Sequence, residues 1–286
     1  QLGQAWVFVG QSTVYLDQGK FKLAERTCSE AIATLREQGA RHGEGWALEV
    51  MGDIARGKRH FDEAQSYYQE ALTIFTALDD QVDQARALNA LGAIAFEGGA
   101  YRVAKGRYEH ALVIAHEQEV RQFEGLALRG LGDVARAMRQ YAQAEDYYRQ
   151  AIAIATELDT PVERCSVLHR QGELYATQGR YREAIAAWMH ALALDRHIGH
   201  PERKAVQERV DGLVKEQDLQ DVYSQIQQIT KMFGLRGSDA VQTLISHLLH
   251  SDPHIRDYVF QILNDMPESI VVPALLEVLH LSLIHI

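Results

Sequence analysis

A small residue returns every fortieth position along this chain: Ala24, Ala64, Ala104, Ala144 and Ala184, each followed seven residues later by Ala31, Ala71, Ala111, Ala151 and Ala191. A sequence that repeats itself five times builds one supersecondary unit over and over, each copy burying its apolar face against the next. Other columns keep the same register. Four positions after the first alanine stand Cys28, Tyr68, Tyr108, Tyr148 and Trp188, and three before it Phe21, Phe61, Tyr101, Tyr141 and Tyr181. Twelve before it stand Ser12, Gly52, Gly92, Gly132 and Gly172. A glycine inside a helix costs about 1 kcal/mol relative to alanine, so this column predicts a neighbouring helix too close for a side chain. Small residues at crossings and aromatic residues in the hollows between them suit antiparallel helix pairs that interlock at close range. The expected fold is therefore an all-α solenoid, which presents a long concave surface rather than one catalytic pocket.

These columns resemble the tetratricopeptide signature, W-x2-L-G-x2-Y followed by A-x3-F. They read Leu48-x2-Met51-Gly52-x2-Ala55 with Ala64-x3-Tyr68, then Leu88-x2-Leu91-Gly92-x2-Ala95 with Ala104-x3-Tyr108. Leu128-x2-Leu131-Gly132-x2-Ala135 with Ala144-x3-Tyr148 and Leu168-x2-Gln171-Gly172-x2-Tyr175 with Ala184-x3-Trp188 complete the series. The proline that usually closes a repeat is missing from most of them. The period exceeds the family's usual one by six residues, about 9 Å of added helix at 1.5 Å per residue. This longer variety is similar to the repeats of kinesin light chains and of the sensor arms of bacterial signal-transduction ATPases. The resemblance covers residues 1–199 and implies a right-handed α-solenoid of five repeats. The first repeat is expected to be truncated, since Phe8 already stands in the column of Leu48 and Gln1 takes the place of an initiator methionine.

Beyond Gly199 the beat stops. Residues 200–219 predict a capping or bridging helix, with Val206, Val210, Leu213 and Val214 on one stripe. Over 220–280 a weaker repeat appears, Val241, Leu244, Ile245 and Leu248 returning as Val272, Leu275, Leu276 and Leu279. Between them, Ser251-Asp252-Pro253 supplies an N-cap and a first-turn proline. The run Asp252-Pro253-His254-Ile255-Arg256 resembles the inter-helix turn of HEAT-like repeats, implying a short HEAT-like helical segment after the solenoid. Residues 281–286, Leu-Ser-Leu-Ile-His-Ile, match the translation of a sequencing-library adaptor, the other reading being the end of a genuine HEAT helix.

Composition narrows the function classes. With 29 basic against 39 acidic residues the net charge is −10, which opposes a nucleic-acid groove. The densest basic patch, Lys58-Arg59-His60, falls in a turn between helices. Cys28 and Cys165 stand at packing positions and read as reduced core residues of a cytoplasmic protein. No charge-free run reaches the roughly 20 residues that a membrane span needs.

No cofactor, metal or catalytic constellation is expected. His116-Glu117 begins like a zinc-protease helix, but the second histidine position is Val120. His247, His250 and His254 are split by Pro253, and His190, His197 and His200 read as surface or turn residues. Gly98-Gly99 lacks the Lys-Ser or Lys-Thr of a phosphate loop, and there is no G-x-S-x-G elbow.

In the family the chain resembles, the first helix of each repeat lines the concave face at fixed offsets from the signature glycine. Carried over, these are Trp46, Glu49, Asp53 and Arg56, then Arg86, Asn89, Ala93 and Phe96. Leu126, Arg129, Asp133 and Arg136 follow, and then Ser166, His169, Glu173 and Ala176. Mixed charge with aromatic anchors at Trp46 and Phe96 suits an extended peptide or protein ligand in the groove. The bland alternative is that Glu49 and Arg56, and Asp133 and Arg136, pair with neighbours on a solvated face. Three function classes follow. The first is a non-catalytic scaffold. The second is the sensing arm of a larger bacterial regulator, fused downstream of a nucleotide-binding switch. The third, an enzyme subunit, rests on the HEAT-like repeats of bilin lyases.

Overall fold

The computed structural model of the chain describes residues 2–195, 203–233 and 252–264, together with Leu244, His247, Met266 and Val271. Its helices are α1 (Leu2–Asp17), α2 (Phe21–Glu37), α3 (Arg41–Gly57), α4 (Phe61–Ala77), α5 (Gln81–Glu97), α6 (Tyr101–Glu117) and α7 (Arg121–Ala137). They continue as α8 (Tyr141–Glu157), α9 (Pro161–Thr177), α10 (Tyr181–Leu194), α11 (Arg203–Glu216), α12 (Gln220–Phe233) and α13 (Pro253–Asn264). Among the described residues there is no strand, and no helix is long and apolar enough to cross a membrane. The fold is the all-α class of consecutive, packed helix pairs that the alanine beat predicts. Two compact units divide the chain, residues 1–147 and 148–286.

The side-chain period of forty is carried by a backbone period of twenty. Helices α2 to α9 are each 17 residues long. Each helix from α1 to α9 is left by a three-residue turn holding one left-handed residue: Gly19, Gly39, Arg59, Asp79, Gly99, Glu119, Arg139, Asp159 and Gly179. At every such turn two backbone bonds close the helix end, as where His60 N–H donates to Ala55 C=O at 2.9 Å and Arg59 N–H to Arg56 C=O at 2.8 Å. This 6→1, 5→2 pair satisfies carbonyls that the last turn would otherwise leave without donors. Five of the nine left-handed positions carry a side chain, which costs about 1 kcal/mol or more at each relative to glycine.

In the first unit the small columns lie where helices touch. Ala24, Ala31, Ala64, Ala71, Ala104 and Ala111 are fully buried. The glycine column is filled by rings rather than by the backbone of a neighbouring helix. A methyl group added to Gly52 would lie 2.5 Å from Cε1 of Tyr68, and one on Gly92 2.7 Å from Cε1 of Tyr108. The first repeat solves the same crossing with two small residues: buried Ser12 donates to Phe8 C=O at 2.7 Å, and the buried Cys28 thiol to Ala47 C=O at 3.2 Å.

In the second unit a ring again fills the glycine position, Trp188 Cδ1 lying 2.4 Å from where a Gly172 methyl would sit. The expected stripe of α11 is buried at Val206, Val210 and Val214, with Leu213 half-buried against the same core. That core also takes in Ile185, Met189 and Leu192 of α10, Ile226 and Ile229 of α12, and Ile255, Tyr258 and Ile262 of α13. The described helices on either side of the point where the sequence beat ends, α10 and α11, therefore share one core. Asp252 caps α13 as expected, its Oδ1 accepting from His254 N–H at 2.9 Å, with Pro253 in the first turn. Leu244 is buried in a helix. The rest of the weaker repeat (Val241, Ile245, Leu248, Val272, Leu275, Leu276 and Leu279), together with His197, His200, His250 and the segment 281–286, lies outside the described residues.

Candidate functional site

In the first unit the residues expected to face a ligand are drawn into a bonded cluster. Trp46 Nε1 on α3 donates to Asp83 Oδ2 on α5 at 2.6 Å. The Arg86 guanidinium lies 4.5 Å from the centre of the Trp46 ring and 5.8 Å from that of Phe75. Its Nη2 is 2.5 Å from Glu49 Oε2 and 3.1 Å from Asp83 Oδ1. The cluster is held locally by α5 itself, since Asp80 at its N-cap accepts from Asp83 N–H at 3.0 Å. From α1, Trp6 meets the Trp46 ring edge-on at 5.7 Å between centroids.

Two consequences follow for Glu49. It is buried, so it does not pair on a solvated face, and its partner is Arg86 from the next repeat while Arg56 pairs with Glu97 at 2.6 Å. Burial pushes its carboxyl up to about 7, outweighing the attraction of Arg86. One carboxylate oxygen, Glu49 Oε1, has no hydrogen-bond partner among the described residues, and the same holds for Asn89 Oδ1 and Arg86 Nε. Asn89 donates through Nδ2 to Phe123 C=O at 3.2 Å, so only its carbonyl is left over. A buried polar atom without a partner costs about 1–3 kcal/mol, a cost that packing alone would not impose on Glu49, Arg86 and Asn89.

The remaining expected residues divide. Asp53 is exposed and accepts from Tyr68 Oη at 2.6 Å, and Arg56 is exposed beside Glu97. Arg129 and Arg136 are half-buried and Asp133 is buried. Burial, followed by the Asp133 charge, raises the Tyr108 phenol. Phe96 does not stand out as an anchor: half-buried, it tilts against Tyr101 at 5.6 Å between centroids. In the second unit, His169 and Glu173 do not line an open face, because Arg209 of α11 reaches both, its Nη1 lying 2.9 Å from His169 Nε2 and pairing with Glu173 Oε1.

Sequence reasoning missed His42, Asp80 and Asp83. His42 Nε2 lies 3.0 Å from Asp80 Oδ2 and 2.9 Å from Asp83 Oδ2, and one ligand atom from each residue falls within 4.8 Å of the others. The three could offer donors to a cation. Arg86 beside Asp83 Oδ1 and the Trp46 N–H on Asp83 Oδ2 already neutralise the inner carboxylate, which works against a dication there. The available signal was Asp80-x-x-Asp83 at a helix start, a pattern that reads first as a cap.

A family model described as tetratricopeptide repeat matches residues 3–77, 51–117, 83–157 and 123–197. No curated protein matches the sequence. Among solved structures, BtubC (BKLC) from P. vanneervenii is similar at a TM-score of 0.61 and 19% identity, covering 74% of this chain and 89% of that one. Aspartyl phosphate phosphatase F from Bacillus subtilis gives 0.63 at 14% identity, covering 98% of this chain and 70% of its own. A Rap protein complexed with competence and sporulation factor gives 0.58 at 11% identity, covering 96% and 89%. At these identities the likeness is one of fold.

Proposed function

This chain belongs to the tetratricopeptide repeat family, and from that premise we propose that it is a non-catalytic scaffold holding an extended peptide or protein segment along the first helices of its repeats. The observation that carries this is the chemistry of α3 and α5. At one offset from the signature glycine both present a buried side chain, Glu49 and Asn89, with an oxygen left over. A surface that served packing alone would have apolar residues there. Asp53, Arg56 and Arg129 add charge of both signs on the same helix face, which selects a partner by complementarity more than by area. A Rap protein of the same fold is known in complex with a factor, which supports the use of such a fold for capture. The two buried thiols, Cys28 and Cys165, favour a reducing cytoplasm.

The test is selection of displayed random peptides on the full chain, followed by competition against Arg129→Glu and Asp53→Lys variants. Recovery of peptides that lose binding to those variants is the expected result. Peptides indifferent to both substitutions, or no enrichment at all, overturn the reading.

The forty-residue pitch favours a second use of the same surface, as the sensing arm of a bacterial signal-transduction ATPase. Sequencing the parent locus upstream of Gln1 decides it, a P-loop ahead of the array supporting the arm and a start codon with a cap helix supporting a free adaptor.

A further inference from the structure

From Leu2 to Leu16 helix α1 carries no charged residue, yet Leu2, Trp6, Val7 and Val14 on it are exposed. The columns of the repeat show what that face is. Val7 and Val14 are 55% and 52% exposed, whereas one period on Ala47 and Ile54 are 0% and 1%, and two periods on Ala87 and Ile94 are 0% and 3%. The glycines agree. A methyl on Gly43, one period after Gly3, would lie 2.8 Å from Leu35 of α2, and one on Gly130, three periods after Gly10, would meet the Tyr108 ring of α6. In both cases the preceding helix supplies the side chain that fills the glycine. Gly3 and Gly10 have nothing within 4 Å. Gly106 is equally open, but it stands in the exposed column of Arg26 and Ser66, which no helix covers. The outer face of α1 is therefore continuous in sequence register with the interface that joins one repeat to the next.

What covers such a face is a helix that lays side chains into Gly3 and Gly10, and α1 is itself such a helix. Gly3, Val7, Gly10 and Val14 follow one another at intervals of four and three, the period of a two-helix seam. In an antiparallel pair with Val7 of each copy opposite Gly10 of the other, Gly3 falls opposite Val14. Every hollow then receives a branched side chain, whereas a parallel pair would set glycine on glycine. The antiparallel arrangement buries no charge along the seam, and it brings Asp17 to the helix start of the other copy, where free N–H groups favour an anion. Head-to-tail stacking is closed off, because α10, the last helix of the array, already shares a core with α11, α12 and α13.

We propose that α1 is a self-association helix, through which two copies of this chain pair in an antiparallel, twofold contact along Gly3, Val7, Gly10 and Val14. The proposal is independent of the groove reading above. One helix laid on one helix buries less than the roughly 800 Å² per partner of a standard interface, so the dimer is weak and exchanges with monomer.

Sedimentation velocity of the full chain from about 5 to about 500 µM tests it, the expected result being a reversible shift from monomer to dimer with a dissociation constant on the order of 100 µM. Gly10→Gln fills the hollow while favouring the helix, so it should keep or raise the melting temperature and weaken association at least tenfold. Val7→Gln should weaken it likewise, and Val113→Gln on α6, a site 54% exposed, should leave it unchanged. Oxidation of mixed Val7→Cys and Gly10→Cys chains should give the mixed disulfide in preference to either self-disulfide. A chain that stays monomeric throughout overturns the proposal and leaves the face to some other helix. Association that Gly10→Gln leaves intact, or that Val113→Gln weakens as much as Val7→Gln does, overturns it too, and a preference for self-disulfides overturns the antiparallel pairing.

Discussion

The ring of Tyr68 on α4 occupies the space that a side chain on Gly52 of α3 would need, with Cε1 2.5 Å from the position of a Gly52 methyl. Helix propensity alone would favour alanine over glycine here by about 1 kcal/mol. The ring reverses that preference.

Gly52→Ser should therefore destabilise by about 1–3 kcal/mol through overpacking, and Tyr68→Cys by about 3–5 kcal/mol through the cavity it leaves. The double variant should cost clearly less than the sum, because Ser12 and Cys28 already pair at the equivalent crossing of the first repeat. Repeat arrays need not unfold in one step, so the cycle is best read from hydrogen exchange of the α3 and α4 amides. Strict additivity would mean that the two positions do not share one space.

A second expectation concerns the turns. Arg59, Glu119 and Arg139 adopt φ of 63°, 56° and 60°, where glycine is at ease and a β-carbon is not. Each substitution to glycine should stabilise by about 0.5–1 kcal/mol, the relief of strain being offset in part by the freer unfolded chain. Gly99, at φ 77°, should lose about 1 kcal/mol when changed to alanine. Thermal unfolding of the four variants checks both signs at once.

Much of the fold was legible because each repeat states the same packing problem again. Ala24 and Ala64 mark helix crossings, and Gly52 with Tyr68 marks a hollow filled by a ring, so five copies made the columns plain. The twenty-residue backbone beat was hidden because its left-handed positions are as often Arg59, Asp79, Glu119, Arg139 or Asp159 as glycine. The site was half legible. Offsets from the signature glycine located Trp46, Glu49, Arg86 and Asn89, but not the choice of Arg86 by Glu49 across a repeat boundary, which depends on helix pitch and rotamer. His42 and Asp83 lie N-terminal to those offsets. His169 and Glu173 meet Arg209 because α11 belongs to no repeat, so no column could announce it.

Glu49 should make stability depend on pH. Its carboxyl sits at about 7 in the folded chain and near its ordinary 4.5 when unfolded, so the folded state binds the proton more tightly. Its contribution is then fully present below about 4.5 and is lost as pH rises through about 7. The loss between pH 4.5 and 8 is on the order of 1–3 kcal/mol. Other acidic groups titrate in the same range, so the measurement is the difference in melting temperature between the natural chain and Glu49→Gln at each pH. That difference should shift against the natural chain as pH rises. A constant difference would mean that Arg86 holds Glu49 ionised throughout.

The Cys28 thiol, pushed up to about 12 by burial, should resist alkylation in the folded chain. At pH 8 an unhindered thiol is ionised to roughly a quarter, and one at 12 to about one part in ten thousand, so the thiolate is roughly two-thousandfold scarcer before access is considered. Mass spectrometry after iodoacetamide should find Cys28 unmodified until denaturant opens α1 and α2, and the labelling rate should then track the opening free energy of the first helix pair.

Trp46 and Arg56 should separate stability from recognition. Trp46 is bonded to Asp83, stacked under Arg86 and met edge-on by Trp6, so Trp46→Ala should cost about 3–5 kcal/mol, and any binding it loses is lost together with structure. Arg56 is exposed and its partner Glu97 lies on the same surface, so Arg56→Ala should cost less than about 1 kcal/mol. If selected peptides lie along α3, Arg56→Ala should nonetheless reduce their affinity severalfold, with a dependence on salt that the natural chain shares and the variant loses in part. Calorimetric titration at 50 and 300 mM salt reads both quantities. An Arg56→Ala variant that binds with unchanged affinity and an unchanged salt response would restrict the contact surface to the Trp46 end of α3.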